Sequence, residues 1–233
     1  MDIAIKNYAV INIGGVDVWI TESIVNAWII MLLLIIFTVV VRLMIKRFTD
    51  LPKGFQNIVE LMVETFDGFV RSTAGDKLHD LGNWYFMLFA FILLSNIAGI
   101  FGLTPPSADW AMTFACALST FGLIQIVAFK YQKIGYLKSF IEPFVLFLPL
   151  NIIGEISRPI ALSFRLFGNI LAGSIMLSLI YNIAPLILKL LLPAAMHIYF
   201  DLVSGILQTY IFVVLSLSFV GAVAVTSDNE EAR

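Results

Sequence analysis

Charge is what this sequence has least of. Asp, Glu, Lys and Arg make up 13% of its 233 residues, where soluble domains carry roughly a quarter. Hydrophobic residues reach 60%, more apolar surface than a water-soluble globule of this size can hide. A soluble fold is excluded, and the chain reads as an integral membrane protein. Cysteine is nearly absent as well. Cys116 stands alone in an apolar run, so no disulfide within the chain is possible and a packing role is expected. There is no HExxH metal motif and no GxSxG elbow, and Cys116 has no nearby His in sequence; these absences argue against an intramembrane hydrolase. The net charge of -2 points to neither a nucleic-acid partner nor an acidic substrate. The N-terminus, MDIAIKNYAVINIGG, lacks a basic region followed by a short apolar core, so no secretory signal is expected. No repeat or low-complexity linker interrupts the chain, and a single membrane domain over 1–233 is expected, with no metal and no cofactor.

What is present is a succession of apolar runs. The first, 23–46, is uncharged until Arg42 and long enough for the roughly 20 residues a helical crossing needs. Trp19 and Trp28 stand near its start, and Arg42, Lys46, Arg47 and Lys53 crowd its end. By the positive-inside rule that end is cytoplasmic and the N-terminus is outside. Over 54–72 apolar residues recur at helical spacing, from Phe55 through Ile58, Val59, Met62, Phe66 and Phe69, with Glu60, Glu64, Asp67 and Arg71 between them. This predicts an amphipathic helix on the cytoplasmic surface or against the bundle. A pair of crossings is predicted over 84–129, joined by a TPPSADW turn without Lys or Arg. Lys130, Lys133 and Lys138 mark its far end as cytoplasmic. The remaining stretch, 140–226, contains two apolar segments too long for a perpendicular crossing, so a long tilted helical hairpin is predicted, with Pro143, Pro149, Pro159 and Pro193 as candidate breaks. The fold class is therefore all-α and polytopic, with about five crossings, and the tail SDNEEAR is expected in the cytoplasm.

The chemistry-bearing residues lie in that last stretch. Between Pro143 and Thr226 the formal charges are Glu155, Arg158, Arg165, Lys189 and Asp201. An arginine at mid-membrane costs about 2.5–3.5 kcal/mol on insertion scales. Asn151, Glu155, Arg158, Arg165 and Asn169 follow at intervals of four, three, seven and four, which on a helix is one narrow stripe. His197, Asp201, Ser204 and Gln208 repeat the pattern on the final segment. Two such stripes are expected to line an aqueous path or face another polar surface. Plainer readings stand beside this one: Glu155 and Arg158 pair with each other, Asn169, Ser204 and Gln208 are interhelical glue, His197 packs near the outer interface, and Lys189 snorkels. Arg165 has no carboxylate among its nearest helical neighbours. In an antiparallel pair Asp201 lies outward of it, while Gln208 comes nearer its depth.

The run RPIALSFRLFGNILAG, from Arg158 to Gly173, resembles the signature of subunit a of the F-type ATP synthase. LQTYIFVVLS, from Leu207 to Ser216, resembles the last helix of that family; GFQNIVE from Gly54 and SNIAGIFGLTPPSAD from Ser95 are weaker matches in the same order. The resemblance implies a non-catalytic stator subunit that conducts H+ or Na+. Its long hairpin lies against a rotating ring of small subunits (the c-ring), each with a membrane-embedded carboxylate, and ions pass through two offset half-channels. It implies Arg165 between the half-channels, Asn169 and Gln208 beside it, Asp201 in the outer half-channel and Glu155 in the cytoplasmic one. Ser174 departs from the pattern, since many members carry an ionisable residue there. The implied partners are the c-ring, the b subunits of a peripheral stalk and the bilayer of a bacterial-type cytoplasmic membrane. A self-sufficient channel or secondary transporter is the main rival, although no inverted repeat supports it; a purely structural scaffold is another.

Overall fold

A computed structural model describes residues 7–13, 16–49, 53–141, 144–183 and 185–231. The chain opens with an antiparallel hairpin of β1 (Asn7–Ile13) and β2 (Val16–Thr21), a strand pair that the all-helical expectation did not include. Val10 pairs with Trp19 and Asn12 with Asp17, and the Asn12 amide donates to the Asp17 carboxylate at 2.7 Å.

Helix α1 (Glu22–Met44) follows directly. Its termini suit the helix dipole, with Glu22 in the first turn and Arg42 in the last. Ile29, Leu32, Leu33 and Ile36 along it are exposed, as a lipid-facing surface requires. Helix α2 (Phe55–Ala74) is the amphipathic element. Both flanking glycines, Gly54 and Gly75, have positive φ, where a side chain would be strained. Helices α3 (Gly82–Ile97) and α4 (Trp110–Gln132) are apolar almost all round. A short helix α5 (Ile134–Ser139) leads to α6 (Leu148–Ile183), whose 36 residues correspond to about 54 Å of helix at 1.5 Å per residue. Helix α7 (Leu186–His197) passes through a π-helical segment, Ile198–Ser204, into α8 (Gly205–Glu231).

Five stretches have the length and composition of membrane spans: Glu22–Met44, Asp76–Phe101, Trp110–Gln132, Val145–Ile183 and Leu192–Ala224. The protein is an all-helical polytopic membrane protein apart from its N-terminal hairpin. Prolines do not divide the long helices. Pro149 sits in the first turn of α6, where its missing N–H is free anyway, and α6 continues through Pro159. Pro193 lies within α7; Pro143 falls outside the described residues.

The chain forms two compact units. One takes Met1–Val40, Phe89–Thr113 and Phe164–Tyr210. Its centre is polar: the fully buried Asn96 donates to the Gly205 carbonyl at 3.2 Å and to Thr209 Oγ1 at 3.1 Å, and accepts from Ser107 at 2.8 Å. Asn26 of α1 bonds Thr104 through both its carbonyl and its hydroxyl. Every polar group inside a bilayer needs such a partner, and these bonds tie α3, the following turn and α8 together. The other unit takes Val41–Leu88, Phe114–Ser163 and Ile211–Arg233. Tyr85, Phe212, Val213, Leu217 and Val220 are fully buried in it, and Tyr85 shares a 2.9 Å hydrogen bond with Ser216. Gly221 lets α8 approach the backbone of α2, since a Cβ there would lie 2.9 Å from Ala74 Cα.

Candidate functional site: two polar clusters and an exposed arginine

The first cluster belongs to the first unit, on the second half of α6 and the π segment. Leu166 and Ile170 are buried, which turns the opposite side of α6 outward. Arg165 lies on that side, exposed, and has no hydrogen-bond or ion-pair partner among the described residues. Its neighbour Phe164 has its ring 5.9 Å from that of Trp110, on the turn-side end of α4. One turn onward, Asn169 accepts a short hydrogen bond from Ser204 at its Oδ1. Gly173 meets Phe200, where a Cβ would come within 3.1 Å of the Phe200 side chain. The two contacts advance in opposite senses along the chain, so these segments run antiparallel.

Asp201 is buried within the π segment, and its Oδ2 lies 2.8 Å from His197 Nδ1. The wall beside it is Gly99: a Cβ there would lie 2.8 Å from the same oxygen. Gly205, where a Cβ would stand 3.0 Å from Asn96 Cβ, permits the close approach at the segment's other end. The π segment is thus seated by glycines at 99, 173 and 205. Two buried amide nitrogens, Asn169 Nδ2 and Gln208 Nε2, have no hydrogen-bond partner among the described residues. Each is a donor able to serve an oxygen that the subunit does not itself supply. Ser174 is exposed and returns its hydroxyl to the Leu171 carbonyl, so it takes no part in the Asp201 cluster.

The second cluster belongs to the second unit, around a cavity of about 410 Å³. Glu155 and Arg158 line it and form an ion pair of 2.7 Å, the i, i+3 pairing that their spacing allows. The Arg158 guanidinium lies 5.0 Å from the Phe219 ring centroid, a cation–π contact with α8. Glu155 also accepts from Gln125 of α4, and Gln125 accepts from the Tyr136 hydroxyl of α5 at 2.9 Å. Burial pushes the Tyr136 phenol above its ordinary pKa, which keeps it a neutral donor. Asn151 donates to the Phe140 carbonyl at 2.9 Å and holds the start of α6 to the end of α5.

The structure therefore joins Asn169 to Ser204, His197 to Asp201 and Glu155 to Arg158, and leaves Arg165 alone. Gln125, Tyr136, Gly99 and Asn96 were not among the residues the sequence singled out. Gln125 and Asn96 carried a signal, each an amide inside an apolar span, and Asn96 and Gly99 lie in the SNIAGIFGLTPPSAD motif; Tyr136 carried none. The helical spans define a polytopic membrane protein that carries two clusters of polar side chains among its apolar helices.

The family model for the ATP synthase A chain matches residues 24–221. The chain is 34% identical over 225 residues to the sodium-ion-specific ATP synthase subunit a of Propionigenium modestum, covering 86% of this chain and 73% of the relative. It is 37% identical over 204 residues to ATP synthase subunit a 1 of Syntrophotalea carbinolica, covering 84% and 82%. To the ATP synthase subunit a of Moorella thermoacetica it is 28% identical, over 93% of this chain and 95% of the relative. The chain belongs to the ATP synthase A chain family, the ion-translocating stator subunits of the membrane Fo sector.

Proposed function

We propose that this subunit performs its translocation through two offset half-channels, separated by Arg165, that feed a rotating ring of carboxylate-bearing subunits. The observation that carries the reading is Arg165: a permanent cation on a membrane-spanning helix, turned outward and without a partner among the described residues. Such a charge is stable in a membrane only against an anion or water supplied from elsewhere. A ring carboxylate meets that need. The guanidinium favours its ionised form, and repels a cation that would pass straight from one half-channel to the other. Ion flow then requires rotation.

His197, Asp201, Ser204 and Asn169 form the outer path in this scheme. His197 and Asp201 exchange the ion with the outer solution, and the free donors on Asn169 and Gln208 serve the ring carboxylate or the water beside Arg165. Glu155, Arg158 and Asn151 belong to the cytoplasmic path, whose vestibule is the cavity. The coupling ion is H+ or Na+. The chain is non-catalytic, docks against the c-ring and the b subunits of the peripheral stalk, and sits in a bacterial cytoplasmic membrane with its N-terminus outside and C-terminus inside. Ion-driven ATP synthesis by the whole complex in liposomes tests the scheme. Arg165→Ala should abolish synthesis while the complex assembles. Undiminished synthesis would make Arg165 a structural residue and refute the proposal.

A further inference from the structure

The cavity cluster includes two residues that the translocation scheme does not use. Both Glu155 oxygens are held: Oε2 by Arg158 Nη1 at 2.7 Å, and Oε1 by Gln125 Nε2 at 3.3 Å. An amide can rotate by half a turn and present either its oxygen or its nitrogen. The ionised Glu155 carboxylate can only accept, so it draws Nε2, and the Tyr136 hydroxyl holds the amide in that orientation by donating to Gln125 Oε1. The tyrosine is itself fixed, with its ring 5.5 Å from Phe129 and 5.0 Å from Phe140. Three helices thus contribute to one directed chain, from the Tyr136 hydroxyl through the Gln125 amide to the Glu155 carboxylate. The titratable or charged groups lining the cavity are Glu155, Arg158 and Tyr136, so no second carboxylate competes for these donors.

We infer that Gln125 and Tyr136 are positioning residues for ion exchange at Glu155, fixing its carboxylate in one orientation at the wall of the cavity. The inference rests on the reading of Glu155 as part of the cytoplasmic path. Arg158 alone leaves the carboxylate free to turn about the ion pair, because it holds one oxygen. The second contact, from α4, removes that freedom and holds the group in one orientation at the cavity wall. Ions arriving from the cavity side then meet a preset acceptor.

The test uses the whole complex in liposomes oriented so that ATP hydrolysis takes ions up from the cavity side. The ion titrated is the one that drives synthesis by the native complex. Gln125→Leu removes a hydrogen bond to a charged group and should raise the apparent KM for that ion on the cavity side by about tenfold to a hundredfold; Tyr136→Phe removes a neutral one and should raise it by about twofold to tenfold. Maximal turnover should stay near native, and the apparent KM on the opposite side, read from ion-driven synthesis, should not change. Tyr136→Phe keeps the ring contacts, so it reports even if Gln125→Leu fails to assemble. A purely structural role would lower maximal turnover with both KM values unmoved, and that result overturns the inference. Glu155→Gln is the reference. If it disturbs cavity-side uptake while Gln125→Leu and Tyr136→Phe do not, the positioning inference alone is wrong. If Glu155→Gln also leaves uptake unchanged, the placement of Glu155 in the path falls, and the inference with it.

Discussion

One methyl group placed on Gly99 probes the Asp201 cluster without removing any of its polar atoms. The added Cβ would lie 2.8 Å from Asp201 Oδ2, 3.0 Å from its Cγ and 3.3 Å from its Oδ1, whereas ordinary contact begins at 3.4 Å. Something must therefore move by about 0.6 Å. Gly99 does not have positive φ, so alanine brings no backbone strain and the contact alone is tested. Asp201 is short and buried, and the oxygen pushed is the one that lies 2.8 Å from His197. A hydrogen bond to a charged group contributes about 1.5–3 kcal/mol, so displacing it lowers the population of the paired geometry by about ten- to a hundredfold. Ion-driven ATP synthesis in liposomes, measured against the ion concentration on the outer side, should show a raised apparent KM with partial recovery at saturation. The control is the Asp201→Ala background, in which the methyl group meets nothing and Gly99→Ala should add no further loss. An unchanged KM in Gly99→Ala, or the same loss with Asp201 already removed, would refute the argument.

Other substitutions test the framework that holds the clusters. Asn96→Leu takes from Ser107 its buried acceptor and from Thr209 and the Gly205 carbonyl a shared donor, leaving these two the bond they make with each other; it should destabilise the subunit by about 1–3 kcal/mol, seen as a lower temperature for its release from the complex. Gly221→Ala forces a Cβ to within 2.9 Å of the Ala74 backbone, which has no flexible end to yield. The same thermal assay should show a loss of about 1–3 kcal/mol from overpacking, with ion affinity on either side unchanged in the complexes that survive.

The membrane spans were legible because insertion depends on hydropathy summed along the chain. The runs starting near Ser23, Trp84 and Ala111 and the two long segments after Phe140 all coincide with described spans. Glu155 and Arg158 were legible as a possible pair because helix geometry brings i and i+3 together whatever surrounds them. The β-hairpin was missed for the converse reason. Its strands, NYAVINI and VDVWIT, place their polar residues mostly at the ends, so no alternating pattern stands out, and the Gly14-Gly15 pair in the sequence between them was the usable signal. The π segment had no such signal: Asp201 and Ser204 mark a polar stripe in IYFDLVS, but their spacing is that of an ordinary α-helix.

Sequence by itself determined that the chain enters a membrane, how many times it crosses, which helix faces are polar and which family it resembles. These depend on neighbours within a few positions, where backbone geometry is fixed in advance. Tertiary structure alone decided that Arg165 is turned outward without a partner among the described residues, that Asp201 rests against Gly99, and that Tyr136 bonds the Gln125 amide that bonds Glu155. Those residues are brought together from different helices, and whether a polar atom there finds a partner depends on ångström-level packing that no local pattern encodes.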